Sequence, residues 1–189
     1  MEGTFHHMDN LNIQTSERPV SNTKNEIVKE SKRIEECLLY SSKGHFAAAH
    51  FWRNFHLWIG IPIVLLSAIA GVASLSQFDP KHITAGILAI FVAGLSSIMT
   101  FLNPNERASN HLNAGNNYDA LQNKIRIFWT IECWQHESEE VLTEKLKFIS
   151  EQKDKLNHSC PQIPKFAYKI GKKGIKEGES DFEVDLISK

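Results

Sequence analysis

Hydrophobic and polar positions follow a helical rhythm along most of this chain, and twice the rhythm gives way to unbroken apolarity. Residues 57–75 (LWIGIPIVLLSAIAGVASL) and 83–102 (ITAGILAIFVAGLSSIMTFL) carry no charge. At ~1.5 Å per residue each reaches roughly 30 Å, the thickness of a bilayer's hydrocarbon core. Between them, residues 76–82 contain Asp79-Pro80, the punctuation of a tight reversal. The pattern predicts a two-helix transmembrane hairpin, with both chain termini on one side of the membrane.

Ahead of the hairpin, Thr23-x-x-Glu26 is a capping box and predicts a helix start at Thr23, after a disordered polar arm over residues 1–22. Ile27, Ser31, Ile34, Leu38, Ser41, His45, Ala48 and Trp52 then recur at steps of three and four. Such a stripe packs against neighbouring helices in water. It runs into Phe51-Trp52-Arg53-Asn54-Phe55-His56-Leu57-Trp58, where rings beside charges mark the headgroup level. Pro62, one turn into the first span, is placed to kink it.

Past the second span, Asn103-Pro104-Asn105-Glu106 combines a capping Asn, a first-turn Pro and an early acid, so a new helix should begin there. Its broad face is Ala108, His111, Gly115, Tyr118, Leu121, Ile125 and Phe128. Ser138 caps a further helix with the stripe Leu142, Lys145, Leu146, Ile149 and Leu156, ending near Asn157. The expected fold is an all-α membrane protein: a transmembrane hairpin above a three-helix cytosolic bundle, filling residues 23–160. Residues 161–189 change character. Phe166, Tyr168 and Ile170 alternate with Lys165, Lys169, Lys172, Lys173 and Lys176, a strip that either lies on anionic headgroups or is a solvated basic face. Beyond Gly178 the chain turns acidic and is expected to be mobile.

Composition refines this picture. A net charge of -1 and a pI near 6.8 give no global attraction to nucleic acid. Cys37, Cys133 and Cys160 form no CxxC and cannot all pair, which suits a reducing compartment. The first apolar run begins too deep to be a cleaved signal peptide. Lys43, Arg53 and Arg107 flank the spans on the terminal side, against Lys81 beside Asp79 in the turn. The positive-inside rule therefore places both termini in the cytosol and Asp79 and Lys81 outside.

No catalytic, cofactor or metal site is expected. The chain has no GxGxxG, P-loop, HExxH or GxSxG. Cys133 and His136 share a helix face at a three-residue spacing but have no further ligands nearby, and His6-His7 in the arm reads as incidental. No ionisable group lies between His56 and Asp79 or between His82 and Glu106. That argues against pumps, proton-coupled transporters and voltage sensors. What the spans do carry is small residues. Ser67, Gly71 and Ser74 in the first and Ala89, Ala93 and Ser97 in the second are candidates for close helix contacts within or between subunits. Ser96 and Thr100, with Asn103 near their line, are candidate pore-lining residues. The alternative is that these hydroxyls bond to their own backbone carbonyls.

The hairpin followed by Pro104, Glu106, Ala108, His111, Gly115, Tyr118, Leu121, Arg126 and Phe128 resembles the SLATT family, bacterial two-transmembrane effectors associated with SMODS nucleotidyltransferases and SLOG sensor domains. The closing run Ile163-Pro164-Lys165-Phe166-Ala167-Tyr168 through Lys173-Gly174-Ile175 is similar to that family's C-terminal strip. The resemblance covers residues 26–179. It implies an inner-membrane effector of a nucleotide-activated antiphage system that opens pores. Because two helices cannot enclose water, a homo-oligomer is expected, and with no charged ring in the spans its conductance should be poorly selective. The break at Asn103-Pro104 couples the second span to the next helix as a hinge, which makes the family-motif residues Pro104, His111, Gly115, Tyr118 and Arg126 the candidate gate. No sensor or nucleotidyltransferase domain is read in the sequence, so the trigger is expected from a separate cytosolic protein or its nucleotide. A membrane-anchored adaptor without pore activity is the alternative, and an enzyme the least favoured reading.

Overall fold

The computed structural model describes residues 20–75 and 83–183. The 76–82 reversal, His6-His7 and nearly all of the N-terminal arm lie outside the described residues. Five helices follow in order: α1 (Val20–Leu75), α2 (Ile83–Leu102), α3 (Pro104–Thr130), α4 (Glu139–Ser159) and α5 (Lys165–Lys176). A single 3-10 turn, Glu132–Trp134, joins α3 to α4, and no strand occurs among the described residues.

α1 is one continuous helix of 56 residues, which at 1.5 Å per residue is about 84 Å long. It begins at Val20, so Thr23 and Glu26 sit inside the helix and do not cap it. The strongest helix breaker ahead of it in sequence is Pro19, which permits a start earlier than the capping box implied. α1 continues through Pro62, whose missing N–H leaves the Trp58 carbonyl without its intrahelical donor.

α2 and α3 return antiparallel along α1. The pairing is legible in the side chains: Arg107 lies over the Trp52 ring (5.1 Å), His111 meets His45, Trp129 meets Glu35, and Lys24 lies over Trp134 (5.4 Å). Numbers rise along α3 as they fall along α1. The expected face of α3 is buried at every position, Ala108 through Phe128. It meets Ile27, Ile34 and Leu38 of α1 and Leu142 and Ile149 of α4 in one core. Leu38, Ile125, Phe128 and Leu142 are at most 1% exposed. Burial of each contributes about 1.5–3 kcal/mol, so this seam dominates the bundle's stability. On α1 the stripe is slightly rotated from the expected one: Ser42 is buried and Ser41 only half-buried. The buried hydroxyls of Ser31 and Ser42 donate to the Ile27 and Leu39 carbonyls at 2.7 and 3.0 Å, so they enter the core satisfied.

α4 starts as its sequence dictates, with the Ser138 hydroxyl accepting from the Val141 N–H at 3.4 Å. Lys145, expected on the α4 stripe, instead pairs at the surface with Glu132 (3.0 Å) and Glu137 (2.8 Å). Cys133 is buried in the 3-10 turn while His136 is exposed in the following bend, so the two do not share a helix face. α3 ends too early for that.

The apolar half looks different. Ile59, Ile63, Leu66, Ala70 and Ala73 of α1, and Leu88, Val92, Leu95 and Met99 of α2 with buried Ala85, form the α1–α2 seam at steps of three and four. No other described residue covers the outer faces. Val64, Ile90 and Phe101 are 67%, 74% and 86% exposed, and Ala85 is the one buried residue of α2. Both helices are long and apolar enough to cross a membrane.

α5 packs on α1 beside this junction. It closes with a Schellman motif at Gly178 (φ 88°), in which the Glu179 N–H donates to the Gly174 carbonyl (3.0 Å) and the Gly178 N–H to that of Ile175 (3.2 Å). The first part of the expected mobile tail is therefore placed. Lys43 Nζ lies 3.9 Å from the Glu179 carboxylate, and Arg126 lies over the Phe182 ring (4.8 Å).

Candidate coupling site below the apolar hairpin

One residue, Asn103, joins α2 of the hairpin to α3 of the bundle. The Asn103 N–H donates to the Met99 carbonyl (3.0 Å), the last bond of α2, and its own carbonyl accepts from the Arg107 N–H (3.2 Å), the first bond of α3. To serve both helices Asn103 takes a left-handed conformation, φ 42° and ψ 57°, which Asn tolerates better than most residues. Its side chain makes no cap bond to the backbone, contrary to the expected capping role, and donates to the Glu106 carboxylate. The left-handed backbone directs that side chain away from the α3 N–H groups. Arg107 completes the joint. Its Nε donates to the Leu102 carbonyl at 2.7 Å, satisfying an orphan group at the end of α2, while its guanidinium lies on Trp52.

A buried polar chain begins one turn further along α3. His111 Nδ1 lies 2.9 Å from His45 Nδ1, the His45 ring stacks on Tyr118 (5.3 Å, 16°), and the Tyr118 hydroxyl donates to Asn157 Oδ1 at 2.9 Å. His45 is 1% exposed and His111 5%. The chain links α1, α3 and α4 through side chains alone. A nitrogen-to-nitrogen bond requires one Nδ1 to donate and the other to accept, so the two rings hold opposite tautomers at that atom. Burial, with His111 close by, lowers the His45 pKa from 6.5 to about 4. Burial, with Arg107 near, also lowers that of His111. The pair is neutral near pH 7. Burial raises the Tyr118 phenol to about 12, so it stays protonated and donates.

Gly115 completes the site. A Cβ there would stand 2.7 Å from the Phe46 ring, so glycine lets α1 and α3 approach at this level. Of the five expected gate residues, Pro104, His111, Gly115 and Tyr118 share the buried face of α3 towards α1. Arg126 does not; it is half-buried beside Phe182 and Asn123. His45 was legible only as a stripe position and Asn157 only as a helix end, because their pairing depends on the register between helices.

No protein-family model, curated protein or solved structure matches this chain. The geometry alone bears on function.

In the hairpin, the small residues Ser67, Gly71, Ser74, Ala89, Ala93 and Ser97 all lie on exposed surface outside the α1–α2 seam. Gly71 has no atom within 4 Å of an added Cβ. Among the described residues these faces make no helix–helix contact. Ser67, Ser97 and Thr100 donate to the carbonyls of Ile63 (2.7 Å), Ala93 (2.8 Å) and Ser96 (3.0 Å) in their own helices. Ser96 is half-buried on the seam side, while Thr100 and Asn103 are exposed. The described residues hold no group of three or more His, Cys, Asp or Glu suited to a metal.

Proposed function

We propose that this chain is a membrane effector of the SLATT type, inserted by the α1–α2 hairpin and assembled into a pore under control of its helical bundle. The observation that carries the reading is the continuity of α1: one helix holds His45 in the bundle core and Ile59–Ala73 in the hairpin seam. A rearrangement at the His45–His111 pair is thereby coupled mechanically to the apolar segment, and Asn103 is the joint at which α2 can answer it. The exposed apolar surface supports insertion, since water penalises each such side chain by about 1.5–3 kcal/mol. Two helices cannot enclose water, so the pore needs several subunits, meeting through the exposed small faces Ser67/Gly71/Ser74 and Ala89/Ala93/Ser97. Thr100 and Asn103 are the exposed polar groups offered to its lumen, and Ser96, half-buried on the seam side, joins them only if α2 turns on opening. With no charged ring available, the conductance is poorly selective. The trigger is a cytosolic sensor protein or a nucleotide signal, the compartment the bacterial inner membrane, with both termini cytosolic.

The test is membrane potential in bacteria expressing the protein at graded levels, with crosslinking to read assembly. Wild type should depolarise cells once oligomers form, and Gly71→Leu with Ala93→Leu should abolish both. Depolarisation by a variant that no longer crosslinks would remove these faces from the assembly.

A second reading, an adaptor without pore activity, is favoured by an apolar groove of about 490 Å³ between α3 and α4, lined by Ile127, Phe128, Phe148 and Ile149. Phe148 is 60% exposed there, at the end of the bundle away from the hairpin, where a sensor could dock. Oligomers that never conduct would favour it.

A further inference from the structure

α5 meets the rest of the molecule through its smallest side chains. Ala167, Gly171 and Gly174 are buried, and a Cβ on Gly171 would stand 2.9 Å from the backbone of Lys43 and Gly44. With 3.6 residues per turn these three occupy one narrow arc, and Lys165, Lys169, Lys172 and Lys176 occupy the arc opposite. All four are exposed and have no carboxylate within ion-pair distance among the described residues. Glu179 is folded over Gly174 towards Lys43, away from that arc.

α5 also has a hairpin-facing edge. Phe166 packs on Phe51 (4.7 Å) and Tyr168 on Tyr40 (6.2 Å). Along α1, Phe51 stands about 16 Å nearer the apolar segment than Tyr40. The flank holding Phe166 and Ile170 therefore faces the hairpin, and Ile170 is 56% exposed.

We infer that α5 is a contact for anionic lipid headgroups, its lysines reading phosphate charge while the Phe166–Ile170 edge approaches the surface. The inference rests on insertion of the hairpin. The distances fit. Gly44 lies about 20 Å along α1 from Leu57, where the apolar segment begins. Headgroups occupy about 5–8 Å of that span. The remaining gap of about 12–15 Å exceeds a Debye length of about 8–10 Å, and the extended lysine side chains shorten it by roughly 6 Å. Lipid is favoured over nucleic acid because the edge of α5 flanking the basic arc packs through Phe166 on Phe51 at the foot of the hairpin, where a polynucleotide would have to compete with the membrane for space.

The test uses the full chain in nanodiscs of phosphatidylcholine mixed with phosphatidylglycerol, measuring which lipid stays bound after mild delipidation. Wild type should retain phosphatidylglycerol with a preference of about tenfold that falls with salt. Lys165→Gln with Lys169→Gln and Lys172→Gln should lose it, and the corresponding arginine triple should keep it. Equal retention of both lipids by wild type would overturn the inference, as would an undiminished preference in the glutamine triple. So would binding of single-stranded RNA through these lysines without lipid preference. Failure to enter nanodiscs of any composition is a different result: it overturns hairpin insertion itself.

Discussion

At the residue scale, the His45–His111 bond makes bundle stability sensitive to acid. The folded state keeps both rings neutral, whereas an unfolded histidine titrates near 6.5. The unfolded chain therefore binds more protons as pH falls, and stability is lost from about 6.5 down towards about 4. A second proton on the pair would also set two donors against each other with Arg107 nearby. The expected loss from His45 alone is roughly 3 kcal/mol. Thermal unfolding in detergent across this range checks it. The double variant His45→Phe with His111→Phe should flatten the acid limb, and limbs that coincide with wild type would dissociate the pair from the effect. The joint gives a second residue-scale prediction. Asn103→Val should cost about 1–2 kcal/mol because a β-branched residue resists the left-handed conformation, while Asn103→Gly should be neutral or stabilising. Chemical denaturation of the two variants decides it. The stripe and the break in the chain were both visible in sequence. Which histidine meets which was not, since periodicity fixes a face but not the register of one helix on another.

At the element scale, the buried face of α3 and the starts of α3 and α4 were legible because each has a local physical cause: spacing, a proline, a serine cap. The start of α1 was misplaced because a capping box is equally compatible with a helix interior. The docking of α5 was hidden for another reason. Its contact face is Ala167, Gly171 and Gly174, which no hydrophobic pattern marks, while its larger apolar residues lie on the flanks. Gly171→Ala tests that docking. Its Cβ would meet backbone, which cannot yield as a side chain can, so α5 should lift from α1. Hydrogen exchange should show the Lys165–Lys176 amides about tenfold or more less protected, as expected where about 1.4 kcal/mol or more of docking is lost. Unchanged protection would mean that α1 moves to admit the methyl group.

At the scale of the whole molecule, α1 is a single rod with two surfaces. As far as Trp52 the apolar stripe is covered by α3, α4 and α5; over residues 57–75 α2 alone covers it among the described residues, and the outward side chains remain apolar. In the sequence the stripe Ile27–Trp52 already runs into the aromatic cluster that opens residues 57–75, and the structure makes the two one helix. That continuity carries the proposed function, and it holds only if the second half sits in lipid. Thiol labelling with an impermeant reagent tests this most directly, in expressing bacteria with Cys160 replaced by serine. Cys37 is exposed on the bundle and Leu75 stands 90% exposed at the hairpin end, giving one reporter for each side. Leu75→Cys should react in intact spheroplasts, Cys37 only after lysis, and Val64→Cys in neither. Reaction of Val64→Cys as readily as Cys37 after lysis would place the hairpin in water and contradict the account.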